Sequence, residues 1–111
     1  MMEARIRLKY GQVRDLSVEF PLTCNWLSEG CNGGWGIFGG MFMDSFYTTH
    51  EKCAPYQVPL KKRCSAYKKC PKVAKLENVR NVGGFYGSPT EEEIIRELRA
   101  NGPVVMDFQA G

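Results

Sequence analysis

The chain has 111 residues with a formal net charge of +3, 43% hydrophobic residues and 24% charged ones. That is enough apolar material for one small domain, and the charge is too mild and too little clustered to point to nucleic acid. No apolar run approaches the roughly 18 residues of a membrane span, and the Met1-Met2-Glu3-Ala4 start lacks the apolar run of a secretory signal, which is expected upstream if there is one.

Met1 to Leu8 mixes charged residues with good helix formers and stops at Tyr10-Gly11, which predicts the last turns of a helix. So short a helix is marginal alone and needs packing to hold it. Gln12 to Asp15 reads as a polar loop, and Ser17 can cap a short helix over Val18 to Cys24, where Pro21 withholds one backbone bond. Gly33 to Tyr47 carries Trp, Phe, Met and Ile with Asp44 as its only charge, and predicts a buried helix. Its stripe would be Ile37, Met41 and Asp44/Ser45, with Gly39-Gly40 allowing a close neighbour.

Thr48 to Ala74 has no periodicity and predicts a long loop that needs pinning. Its positive residues Lys61, Lys62, Arg63, Lys68, Lys69 and Lys72, with Lys75 just beyond, could meet an acidic partner but read more simply as a solvated face. Asn78 to Phe85 alternates weakly and predicts a strand. Thr90-Glu91-Glu92-Glu93 is a capping box, and Ile94, Ile95 and Leu98 give the helix it starts one apolar face, ended by Asn101-Gly102-Pro103. Val104 to Phe108 predicts a strand with Val104, Met106 and Phe108 on one side.

Five cysteines beside 12 glycines and 6 prolines favour an oxidising compartment, and the odd number leaves at least one outside any internal pair. His50, Cys53, Cys64 and Cys70 invite a zinc reading, but the gaps between the cysteines lack paired knuckles, so no metal or cofactor is expected. His50 reads as an exposed loop residue. The stretch Cys24-Asn25-Trp26-Leu27-Ser28-Glu29-Gly30-Cys31-Asn32-Gly33-Gly34 is the most informative: cysteines tie the backbone down while paired glycines leave its amides bare. Bare, fixed backbone suits recognition of an extended peptide, although Gly33 and Gly34 can also be turn residues only.

That stretch resembles the papain-like cysteine peptidases, most closely the cathepsin C branch. Met2-Glu3-Ala4-Arg5-Ile6-Arg7 is similar to the end of the family's nucleophile helix, and Val82-Gly83-Gly84-Phe85-Tyr86 to a motif of that branch. Asn101-Gly102-Pro103-Val104-Val105 resembles the start of a central strand. The resemblance implies an α+β fold: residues 1–111 would be an internal segment of one papain-like peptidase domain, with most of its helical half, the start of its β-rich half and disulfide-stapled loops.

The family's nucleophilic cysteine would lie upstream of Met1 and its base histidine and orienting asparagine beyond Gly111, so no residue here is expected to be catalytic and the chain alone is expected to be inert. The resemblance also implies Cys24–Cys64 and Cys53–Cys70 bridges, with Cys31 bonded to a cysteine in the remainder of the domain. Gly33 and Gly34 would lie against the peptide substrate, Gly34 pairing its backbone with the residue two before the cut, while Trp35 and Gly36 would form part of the S2 pocket that takes that residue's side chain. Asp107 falls where relatives carry a small apolar residue in that pocket wall, and a carboxylate there would be partly buried. It would pair with a positive substrate group or else with solvent or a nearby lysine. Ile37 and Asn81 stand where that branch has chloride-binding tyrosines, so chloride is not expected.

The implied parent would release dipeptides from free N-termini through an acyl-enzyme intermediate in a lysosomal or secreted setting. A catalytically inactive papain-like domain, kept as a structural or binding part of an assembly, is the alternative.

Overall fold

The computed structural model describes residues 1–84 and 88–111, which fall into two compact units: residues 15–79, and residues 1–14 with 80–111. Regular structure among the described residues is helical, with two isolated antiparallel bridges and no strand.

In the 15–79 unit, α1 spans Glu19–Cys24 and α2 spans Gly36–Phe46, with single 3-10 turns at Gly30–Asn32 and Cys64–Tyr67. The Ser17 hydroxyl accepts the Phe20 amide at 2.9 Å, so it serves as the expected cap although the helix begins one residue later than its pattern suggests. The same hydroxyl donates to the Ala54 carbonyl at 2.6 Å. Pro21 is harmless here because it sits in the first turn, where amides have no partner inside the helix.

α2 begins at Gly36 and is not buried along its length: Phe42 alone is fully enclosed, at 2% exposure. The inward face is set by Phe42 and Met43, which belong to or pack on the core; Ile37 is half-buried, while Met41 and Phe46, the latter stacked on Phe42 at 5.5 Å, lie largely at the surface. Trp26 meets Phe46 edge-on at 4.8 Å and Phe42 at 6.0 Å, so aromatic geometry decides which face turns inward. Gly40 is where the neighbour comes close: a Cβ there would stand 2.7 Å from a Val79 methyl, while one at Gly39 would meet open space. The 3.2 Å bond from the Leu76 amide to the Met43 carbonyl holds this outer segment against the helix.

The Thr48–Ala74 loop is tied down by covalent bonds and by backbone. Cys24 is bonded to Cys64 and Cys53 to Cys70 across separations of 40 and 17 residues. Loops of those lengths correspond to roughly 4 and 3 kcal/mol in the chain-entropy account. Residues 48–51 bond to both flanks: Ser17 N–H to the Thr49 carbonyl and Glu51 N–H to that of Asp15, then Thr48 N–H to Ala74 and Val73 N–H to Thr48. Each pairing is too short to count as a strand, which leaves the bridges Leu16–His50 and Thr48–Ala74. The core is Cys24, Phe42, Ala54 and Tyr67, with Phe20, Met43 and Cys70 packed on it.

In the other unit, α3 spans Met2–Tyr10 and α4 spans Glu91–Asn101. α3 ends on Gly11, whose φ of 68° is the left-handed conformation that suits glycine, and whose amide reaches the Arg7 carbonyl. No residue of α3 is buried, so its apolar pattern does not explain its place; side-chain bonds do. Arg5 Nε donates to the Pro103 carbonyl at 2.9 Å and its guanidinium lies 3.5 Å from Glu97. α4 carries the complete capping box, Thr90 accepting from the Glu93 amide and Glu93 from that of Thr90.

The two expected strands are not formed among the described residues. Residues 104–111 carry no regular structure, and Val105, Met106 and Phe108 are exposed, because a strand needs a neighbour to take its amides and none of the described residues pairs with this segment. Residues 78–84 form no strand: a bend at Asn78 and a turn over 82–84, with positive φ at Asn78, Gly83 and Gly84, break any extended run; Phe85 and Tyr86 lie outside the described residues. The α+β expectation therefore stands on its helical part.

Candidate functional site

The Cys24–Gly34 turn is built by short-range bonds that follow from its residues. Asn25, next to the bridged Cys24, is buried and folds back: its carbonyl Oδ1 accepts the Leu27 amide at 3.0 Å and its Nδ2 donates to Ser28 Oγ at 3.1 Å. Gly30 takes a φ of 57° and Gly33 one of 120°, both costly for a residue with a Cβ. The ends are closed by Glu29 N–H to the Gly33 carbonyl at 2.8 Å and Gly33 N–H to that of Gly30 at 3.2 Å.

Gly34 stands just past this closed turn, and two facts single it out. Its own amide and carbonyl have no hydrogen-bond partner among the described residues, and it is exposed. A Cβ at Gly34 would lie 2.6 Å from Ser28 Oγ, so only glycine fits the backbone against the serine. The result is a solvent-facing stretch of backbone in which the Gly34 N–H and C=O are both unpaired among the described residues. Trp35 follows it, 69% exposed, and Gly36 opens α2. The structure thus brings Gly33, Gly34, Trp35 and Gly36 into one stretch of surface. Asp107 belongs to the other unit, where it is exposed and in no ion pair among the described residues; the partial burial expected of its carboxylate is not seen, because the segment around it packs on nothing described.

Ser28 and Asn25 are the residues that sequence reasoning missed. The signal for Asn25 was available, since Asn after a fixed residue favours a side-chain-closed turn. The clash that makes Ser28 a brace for Gly34 depends on the fold.

The zinc reading fails on chemistry: Cys53, Cys64 and Cys70 are all in disulfides and cannot supply thiolates. Cys31 is the free cysteine, exposed beside Asn32, and no hydrogen bond joins it to His50. Lys72 and Lys75 sit over the Tyr47 ring at 5.2 and 5.6 Å, and Lys61, Lys62, Arg63, Lys68 and Lys69 are exposed, as a solvated basic face would be. Among the described residues Glu19 is a fully buried carboxylate, at 0% exposure. Glu19 accepts from the Gln57 amide and the Thr23 hydroxyl, both at 3.1 Å, and from the Tyr67 hydroxyl at 3.5 Å. Burial and then the Glu19 charge push the Tyr67 hydroxyl above its ordinary pKa.

Comparisons with known proteins agree on one family. A family model described as papain family cysteine protease matches residues 1–111. A cathepsin C from Schistosoma mansoni is 31% identical over 111 residues, covering 97% of this chain and 24% of that protein. Papain from Carica papaya is 27% identical over 109 residues, 98% of this chain and 30% of that one. Among solved structures, the Carica candamarcensis cysteine protease CMS1MS2 in complex with E-64 superposes with a TM-score of 0.56 at 28% identity, over 64% of this chain and 33% of that chain. The chain thus spans 24% and 30% of the length of the two curated relatives.

Proposed function

The chain belongs to the papain family of cysteine proteases, and we propose that it supplies such an enzyme with its main-chain peptide-binding turn. The observation that carries this reading is Gly34, with its amide and carbonyl exposed and unpaired on a turn held by Asn25, Ser28 and the Cys24–Cys64 bridge. An extended peptide adds to such a unit as a strand adds to a sheet edge, giving one N–H and taking another, without reference to its side chain. Gly33 continues the open backbone, and Trp35 and Gly36 form the wall of the S2 pocket. In this reading the intact enzyme cleaves peptides by thiolate attack and an acyl-enzyme intermediate, with the nucleophile and base outside residues 1–111. The likeness to a cathepsin C supports dipeptide release and a lysosomal or secreted setting. Asp107, exposed in its own unit, is proposed to pair with a positive group of the substrate.

The test uses the intact enzyme and two dipeptide-amide substrates that differ only by sulfur for oxygen in the carbonyl two residues before the cut, which accepts from the Gly34 amide. Weakening that bond should lower kcat/KM by up to about tenfold, mostly through KM. Gly34→Ala should do the same on the oxygen substrate, and Gly39→Ala, with open space for its methyl, should change nothing. Equal rates on the two substrates would refute the assignment whatever the variants do.

A further inference from the structure

The 15–79 unit contains a half-open cavity of about 140 Å³, none of whose lining residues belongs to the Gly33–Gly34 turn. Its floor and sides are Phe20, Phe46, Tyr67 and Pro71, and Lys68 and Lys72 stand at exposed positions of its wall. Thr48 and Thr49 complete the wall, each 2% exposed and each with a hydroxyl that has no hydrogen-bond partner among the described residues. A cavity of this size holds one benzene ring: an apolar engineered cavity of about 150 Å³ binds benzene. No carboxylate lines the wall, and its charged or unpaired side chains can all donate. Glu19, which accepts from the Tyr67 hydroxyl, has its oxygens also taken by Thr23 and Gln57. Neither lysine forms an ion pair among the described residues, and Lys72 rests on the Tyr47 ring, which also lines the cavity.

From these features we infer that the cavity is a binding site for a small aryl carboxylate, its ring against Phe20, Phe46 and Tyr67 and its carboxylate at Lys68 and Lys72. The aromatic walls supply ring packing, and the cationic rim selects an anionic substituent over a neutral or positive one. A ligand of this size binds with a Kd of about 1 mM, since small ligands gain only a fraction of a kilocalorie per atom from such a site.

The probe is 4-fluorophenylacetate, followed by fluorine NMR line broadening on the intact enzyme with both disulfides formed. Saturable binding near 1 mM is expected, with 4-fluorophenylacetamide about fivefold weaker, 4-fluorobenzylamine weaker still, and acetate unable to displace the probe. Lys68→Gln with Lys72→Gln should bring the carboxylate to the level of the amide. Both lysines are exposed, so the double variant should keep the wild-type circular dichroism. Three results on the unaltered chain would each overturn the inference: no saturable binding of the carboxylate, equal binding of acid and amide, or displacement by acetate. Full acid-over-amide preference in the folded double variant would overturn the role given to the lysines and with it the site.

Discussion

Replacing Glu19 separates the role of its hydrogen bonds from that of its charge. The carboxylate is wholly enclosed and joins three elements: α1 through Thr23, the loop through the Gln57 amide, and the Cys64–Tyr67 turn through the tyrosine. In Glu19→Ala the Gln57 amide loses its partner, at about 1–2 kcal/mol for an unpaired, partly buried donor, and the Thr23 bond goes at about 1 kcal/mol. The 3.5 Å Tyr67 bond is long and adds little. The void left by the side chain adds about 1 kcal/mol, while removing a buried carboxylate returns some of the total, for a net loss of about 3 kcal/mol. Glu19→Gln behaves differently. Its carbonyl oxygen can face the Gln57 amide while its NH2 donates to Thr23 and Tyr67, whose hydroxyls can turn from donors into acceptors. A loss of about 1 kcal/mol or less is expected. Urea unfolding of the disulfide-intact chain at pH 7 measures both. If glutamine costs as much as alanine, the charge and not the bond count holds Glu19 in place, and the reasoning fails.

Glu97 is held below its ordinary carboxylate pKa of 4.5, first by the Arg80 bond at 2.6 Å and further by Asn101 and Arg5, against the opposing effect of burial. A lowered folded pKa means stability that is complete above pH 4.5 and fades as pH falls below it; Glu97→Gln should flatten this acid limb in pH-dependent urea unfolding. Tyr67 has the opposite sign: its raised pKa gives stability that is complete below pH 10.0 and lost as pH climbs past it, and Tyr67→Phe should remove that alkaline loss. Gly40→Ala should cost about 1–3 kcal/mol by driving a methyl into Val79, and Val79→Ala in the same chain should recover most of it. Thermal melts of the two single variants and the double variant close that cycle.

What could be read from the sequence was local chemistry. Thr90 and Glu93 lie three apart and satisfy each other's backbone wherever the helix packs, so the capping box needed no fold to be recognised. Gly11 ended α3 for the same kind of reason, a conformation other residues resist. The face of α2 was misread because Met41 and Phe42 are both apolar and adjacent; only the approach of Trp26 and Phe20 to Phe42 decides between them. Val104 to Phe108 alternates as a strand should, yet alternation states a preference and a ladder requires a partner. The site divides in the same way. Gly33-Gly34 was visible as flexible backbone, whereas the need for glycine at 34 comes from Ser28, held by Asn25, and depends on where the turn folds them.

The order of the bridged cysteines along the chain has a practical consequence. Cys53 lies inside the span of the Cys24–Cys64 bond, and Cys64 inside that of Cys53–Cys70, so the two loops interlock. A backbone cut anywhere from residue 54 to residue 63 separates Cys24 and Cys53 on one piece from Cys64 and Cys70 on the other, and both bonds still join the pieces. Most of that stretch is exposed, including Tyr56, Val58, Lys61 and Lys62, and it is accessible to other proteases. A nicked molecule therefore runs as one species on a non-reducing gel and as two after reduction. The basic loop can be severed without releasing either half, so its integrity has to be judged by mass spectrometry of the reduced chain and not by apparent size.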